Sequence, residues 1–141
     1  HLQRAHEFNL QQDLYASRVL FDCGVPLLQI PCQGVASHLI TTTSELDSYL
    51  SKKGEIGDYL IDIFKNYANN PFGWSKVIWD ISAPAWLINP DWVSSSYVHS
   101  PILTDQLKYV IDPNRHTIRV ANKVDRDAIF ADLFRKIENH S

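Results

Sequence analysis

The chain has 141 residues, 45% of them hydrophobic and 21% charged, which suits a globular domain with a real core and excludes a disordered or fibrous chain. A formal net charge of -3 leaves no electrostatic footprint for nucleic acid or an anionic membrane, so neither is expected as a partner. No apolar run approaches the roughly 20 residues that span a bilayer.

Cys23 and Cys32 lack a CxxC arrangement and sit in apolar stretches, so reduced, buried thiols and a cytoplasmic location are expected. There is no Met, and the opening "HLQRAHEFNL" has neither an initiator nor the look of a tag or leader. A processed mature chain or a C-terminal piece of a longer protein is expected.

In chain order, "QQDLYASRVLFDCGVPLLQIP" reads as a helix feeding a strand. Asp13 is placed to cap it, Tyr15, Ala16, Val19, Leu20 and Cys23 form one apolar stripe, and Gly24 falls just past its end. Leu27 to Ile30 is a short strand, and the short connection argues for parallel-sheet architecture. "TTTSELDSYLSKKG" places a Ser44 cap before a short helix that Gly54 closes. "EIGDYLIDIFKNYANN" is the clearest helix, with Ile56, Tyr59, Leu60, Ile63, Phe64 and Tyr67 at helical spacing. Asn69, Asn70, Pro71 and Gly73 favour turns, which puts Trp74 on a loop.

Further on, "YVHSPILT", "LKYVI" and "TIRV" read as strands, with "DPNRH" making a tight hairpin between the last two. "VDRDAIFADLFRKIENH" is an amphipathic helix whose stripe is Ile129, Phe130, Leu133, Phe134 and Ile137, with acids at its start and Arg135 and Lys136 near its end. Asp125 and Asp127 are placed to cap it.

Two stretches carry candidate chemistry. In "WDISAPAWLINPDW" three of the four Trp residues crowd around Asp80. Pro84 lacks an N–H and fits only the first turn of a helix, so that helix must begin close after Asp80. A carboxylate there suits a hard cation such as Ca²⁺, and equally suits an ordinary cap. In "HEFN", Glu7 and Asn9 would point to one side of an extended segment, with Phe8 turned into the core. Such a pair can grip a sugar diol, or belong to a loop that caps the next helix. The histidines His38, His99, His116 and His140 are scattered, no nucleophile partners them, and no phosphate-binding Gly-rich loop is present.

Taken in order, "HEFN", "DLYASRVLFDCGVPLLQIP", "SELDSYL" and "WD" with "APAWLINPDW" resemble the C-terminal part of the inosine-uridine preferring nucleoside hydrolase family, over about the first two thirds of the chain. The resemblance implies an α/β fold in which residues 1–141 are the C-terminal portion of a nucleoside-hydrolase-like (Rossmann-like) open sheet with helices packed on it. It implies that Glu7 and Asn9 bind ribose hydroxyls, and that Asp80 is a Ca²⁺ ligand that also contacts the ribose. Trp79 stands where purine-specific members carry a stacking Trp and pyrimidine-accepting members a His, although Trp79 in the core is the other reading. His6 departs from the small residue or Asn usual before Glu7.

The family hydrolyses the N-glycosidic bond of a ribonucleoside, using an Asp-rich calcium cluster near the end of its first strand. That cluster is absent from this chain. The chain alone is therefore expected to be inactive, with the catalytic base and most of the Ca²⁺ site in an N-terminal half. The other reading is a domain that binds a ribosyl ligand or serves assembly without turnover. Half of a doubly wound sheet would leave an apolar edge, so a homo-oligomer or pairing with its own N-terminal half is expected.

Overall fold

A computed structural model describes residues 3–5, 7–70 and 72–139. The expectations placed on His6, Pro71 and His140 lie outside the described residues. In chain order the elements are β1 (Gln3–Arg4), α1 (Phe8–Gln12), α2 (Leu14–Asp22), β2 (Leu28–Gln29), β3 (Ile40–Thr42), α3 (Thr43–Leu50), α4 (Glu55–Asn66), β4 (Ser75–Val77), α5 (Ser82–Ile88), β5 (Val93–His99), β6 (Ile102–Leu103), β7 (Lys108–Val110), β8 (Thr117–Val124) and α6 (Arg126–Asn139). Single 3₁₀ turns lie at Ala36–His38, Trp79–Ile81 and Pro90–Trp92. The fold is mixed α/β, with helices packed on small open sheets. It divides into two compact units, residues 1–35 with 94–123, and residues 36–93 with 124–141.

The first unit holds two three-stranded sheets, ordered β1-β7-β6 and β2-β8-β5. β2 pairs with β8 in parallel, Leu28 opposite Arg119 and Gln29 opposite Val120, as the helix-to-strand reading of residues 13–30 implied. Asp13 caps α2 by accepting a hydrogen bond from the Ala16 N–H at 2.9 Å, and Gly24 beyond its end takes a positive φ of 74°. The core of this unit is Ala5, Phe21, Leu103 and Ile118.

The apolar stripe expected on α2 needs correcting. Its buried face is Ser17 and Phe21, while Tyr15, Ala16, Val19, Leu20 and Cys23 all face out. Position 17 decides the outcome: the Ser17 hydroxyl donates to Leu10 O, and Arg18 bonds Leu103 O and Asp105, fixing the helix rotation against β6. Cys23 is exposed and Cys32 only half-buried, and no disulfide joins them, so the thiols are not buried as expected.

The hairpin expected across "DPNRH" is also absent. The turn forms, with the Asn114 N–H donating to Asp112 Oδ1 at 2.9 Å, but β7 and β8 on either side belong to different sheets. The Arg115 side chain donates to Phe21 O at 2.7 Å and pairs with Asp22, so the connection is tied to the end of α2.

The second unit is mostly helical. Leu46 and Leu50 of α3, Ile61 and Phe64 of α4, and Ile129, Phe130, Phe134 and Ile137 of α6 are buried, and the three helices contact one another in every pairing. At Gly57 an added Cβ would stand 2.8 Å from Leu50 O, so glycine is what lets α4 lie that close to α3. β3 and β4 form an antiparallel pair beside them. The cap of α3 is Thr42, whose hydroxyl accepts from the Glu45 N–H at 3.2 Å, and not Ser44, which lies inside the helix. Gly54 starts α4 with a φ of 104°, and α3 has already ended at Leu50. The capping of α6 by Asp125 is as expected, through the Ala128 N–H at 3.0 Å.

Arg126 ties this unit together. It donates to Ile40 O at 2.8 Å, pairs with Glu45 and Asp127, and lies 4.3 Å from the centre of the Phe130 ring. Partial burial opposes its charge, and the hydrogen bonds to Glu45 and Asp127 more than offset that, holding its pKa above the ordinary arginine value.

Candidate functional site

Glu7 and Asn9 belong to the first unit, Trp79 and Asp80 to the second. Glu7 precedes α1 with extended backbone (φ -105°, ψ 129°), but Asn9 is already helical. The extended "HEFN" segment is therefore corrected to a cap followed by a short helix. Phe8 is exposed, not buried, because Leu10 and Leu14 reach the core in its place.

Both Glu7 and Asn9 nevertheless line one cleft of about 270 Å³, whose floor includes Leu10, Phe21, Leu28 and Ile30. The Cys32 N–H donates to both oxygens of the Glu7 carboxylate, at 2.9 and 3.1 Å, and fixes its orientation. Each oxygen keeps a lone pair for a further donor. Asn9 is exposed at the rim. An apolar floor with a carboxylate and an amide at its edge can seat a small polyhydroxylated ligand by one face and hydrogen-bond its hydroxyls.

Behind Glu7 stands a group that the sequence did not reveal. Gln29 Nε2 donates to Tyr109 Oη at 2.7 Å, and the Tyr109 ring meets Phe21 edge-on at 6.0 Å. Burial lifts the Tyr109 phenol above its ordinary value, the Gln29 hydrogen bond draws it back in part, and the negative charge of Glu7 lifts it again. Glu7, Gln29, Cys32 and Tyr109 are up to about a hundred residues apart, so no local spacing could have grouped them.

The raised Tyr109 pKa has a definite sign. Folding favours the protonated phenol, so its contribution is fully present below the unfolded-state value near 10 and is lost as pH rises through the higher folded value. Tyr109→Phe is expected to cost about 1 kcal/mol at pH 7 through the lost hydrogen bond, and to flatten the decline in stability above pH 10. Urea unfolding at pH 7 and pH 10.5 checks both; a variant with the same alkaline decline as the parent would refute the assignment.

In the second unit, Trp79 and Asp80 occupy the 3₁₀ turn Trp79–Ile81 that runs directly into α5, where Pro84 takes the third helical position. The helix start inferred from Pro84 is thus observed. The turn is pinned by the Ser82 hydroxyl, which donates to Trp79 O at 2.9 Å. Trp79 is 37% exposed, which weakens the reading of it as a core residue. Asp80 is exposed, and among the described residues its carboxylate accepts no capping hydrogen bond.

Calcium takes six to eight oxygen ligands. Among the described residues no group of three or more His, Cys, Asp or Glu side chains converges. Asp80 could supply one carboxylate, and these residues do not by themselves make a calcium site.

Neither any protein-family model nor any curated protein sequence matches the chain. Solved structures do. The chain superposes on a purine-preferring ribonucleoside hydrolase from Gardnerella vaginalis with a TM-score of 0.78 at 20% identity, over 94% of this chain and 46% of that one. It matches a plant nucleoside hydrolase with a TM-score of 0.75 at 18% identity, over 95% and 48%. An inosine-uridine preferring nucleoside hydrolase from Bacillus anthracis gives 0.75 at 15% identity, over 97% and 44%. The chain shares the fold of part of these nucleoside hydrolases and spans about half their length.

Proposed function

We propose that this chain is the C-terminal portion of a nucleoside hydrolase that cleaves the N-glycosidic bond of purine ribonucleosides to base and ribose. The observation that carries the reading is the fold itself: nearly the whole chain follows three nucleoside hydrolases, in agreement with the ordered motifs around Glu7 and Asp80. Glu7 and Asn9 take ribose hydroxyls, the first as an oriented acceptor and the second as donor and acceptor. Asp80 takes a ribose hydroxyl and provides one ligand to a Ca²⁺ whose other ligands lie outside this chain. Trp79, which is partly exposed, stacks on the base. The subtype resembled in sequence is the inosine-uridine preferring one, and the setting is cytoplasmic purine salvage.

A second reading is a ribosyl-binding or assembly domain without turnover, and it differs from the first in what lies outside this chain. One experiment separates the two. The coding DNA upstream of His1 is expected to encode, in frame, an Asp-x-Asp-x-x-x-Asp-Asp motif after a strand. The encoded polypeptide should release base from inosine, and the 141-residue chain should not. Base release by the 141-residue chain alone would refute this division of the site, and a start codon directly before His1 would leave the ligand-binding reading.

A further inference from the structure

Helix α4 carries more apolar surface than its own unit covers. At 100° per residue its apolar side chains sweep about 200° of the circumference, leaving Glu55, Asp58, Asp62, Lys65 and Asn66 as the polar strip. One half of the apolar arc, Gly57, Ile61 and Phe64, is buried. The other half, Ile56, Tyr59, Ile63 and Tyr67, is 54%, 65%, 45% and 67% exposed. Its far end is held in place, since Tyr67 stacks on Trp74 at 5.9 Å and carries the Lys76 ammonium 3.3 Å from its ring centre.

A helix apolar over so wide an arc belongs between two layers, because a surface helix needs only a narrower stripe. Uncharged side chains at i, i+3, i+7 and i+11 form a continuous ridge of the kind that packs into a neighbouring element. The chain superposes almost entirely on structures about twice its length, so the remaining half of that fold has no counterpart within these residues.

We infer that the ridge Ile56–Tyr59–Ile63–Tyr67 is the seat of an apolar layer supplied by the part of the nucleoside hydrolase fold that this chain does not contain. The inference rests on the fold reading above and deepens it by naming the surface on which the two parts meet. It asks nothing of catalysis.

Ile63→Asp tests it, with Asp62→Ala on the polar strip as control, each made in the 141-residue chain and in the polypeptide encoded by the whole reading frame. In the 141-residue chain both midpoints of thermal unfolding are expected within about 2 °C of the parent. In the longer polypeptide Ile63→Asp is expected to lower the midpoint by about 10 °C, because it forces a carboxylate into an apolar layer, and Asp62→Ala to leave it unchanged. Equal effects of Ile63→Asp in both proteins overturn the inference, as does a reading frame that adds no further domain. A dimer of the 141-residue chain in sedimentation that Ile63→Asp splits gives the ridge to a second copy and overturns it as well. Base release by the longer polypeptide is read separately, so failure of the ridge and failure of the proposed activity are distinguishable.

Discussion

Phe130→Ala is expected to remove about 3–5 kcal/mol of stability, a large fraction of the roughly 5–15 kcal/mol that native proteins commonly have. Phe130 is 2% exposed on α6, which packs against α3 and α4, so deleting the ring forfeits its transfer from water and leaves a cavity. Two further contacts go with it. The ring stands 5.6 Å from Phe134, which itself stacks on Tyr49 at 4.9 Å, and it underlies the Arg126 guanidinium. Without the ring, Arg126 loses the surface that holds it against Ile40 O and Glu45. In urea the midpoint should fall with an unchanged slope, while Phe72→Ala, at a ring 93% exposed, should leave it where it was. A loss below about 1 kcal/mol would mean that α6 collapses onto the gap and that the aromatic cluster is not the keystone of this unit.

The elements of this unit were legible because their signals are local. Asp125 lies three residues before the N–H it caps, and the stripe of α6 repeats every three or four residues, so any window of that length contains the whole cause. What was misread depended on distant partners. The stripe of α2 is as apolar as that of α6, yet it faces out because Arg18 and Ser17 are claimed by Leu103, Asp105 and Leu10. β7 and β8 flank a good turn but pair with β1, β6, β2 and β5, and no periodicity names a strand's partner. Thr42 outcompeted Ser44 at the cap because both hydroxyls are local candidates and the strand before α3 ends at Thr42.

The candidate site shows the same division. Pro84 forced the start of α5 to within two residues of Asp80, since the absence of one N–H is a property of one residue. The grip of Cys32 on Glu7 and the Gln29–Tyr109 pair spans 25 and 80 residues, and only the folded chain brings them together. The alternation rule also failed at "HEFN": it assumes an extended chain, and Leu10 and Leu14 obtain burial for this segment only if it turns into a helix at Phe8.

In the longer polypeptide proposed to release base, Asp80→Ala is expected to weaken ribonucleoside binding about 10–100-fold, the loss that follows from removing a hydrogen bond to a charged group. The prediction is specific because Asp80 is exposed and holds no capping bond, so its removal should leave the unfolding midpoint within about 2 °C of the parent. Trp79→Ala should act differently. A ring that stacks on the base contributes on the order of 1 kcal/mol beyond the area it buries, so the preference for inosine over uridine, measured as a ratio of kcat/KM, should fall about fivefold. A ring that only packs on its own unit would lower stability and leave that ratio alone. On the proposed reading the two substitutions are expected to report on separate parts of one ligand, the sugar through Asp80 and the base through Trp79. An unchanged inosine-to-uridine ratio in Trp79→Ala would remove the purine assignment while leaving the ribose contact standing; unchanged affinity in Asp80→Ala would remove the ribose contact itself.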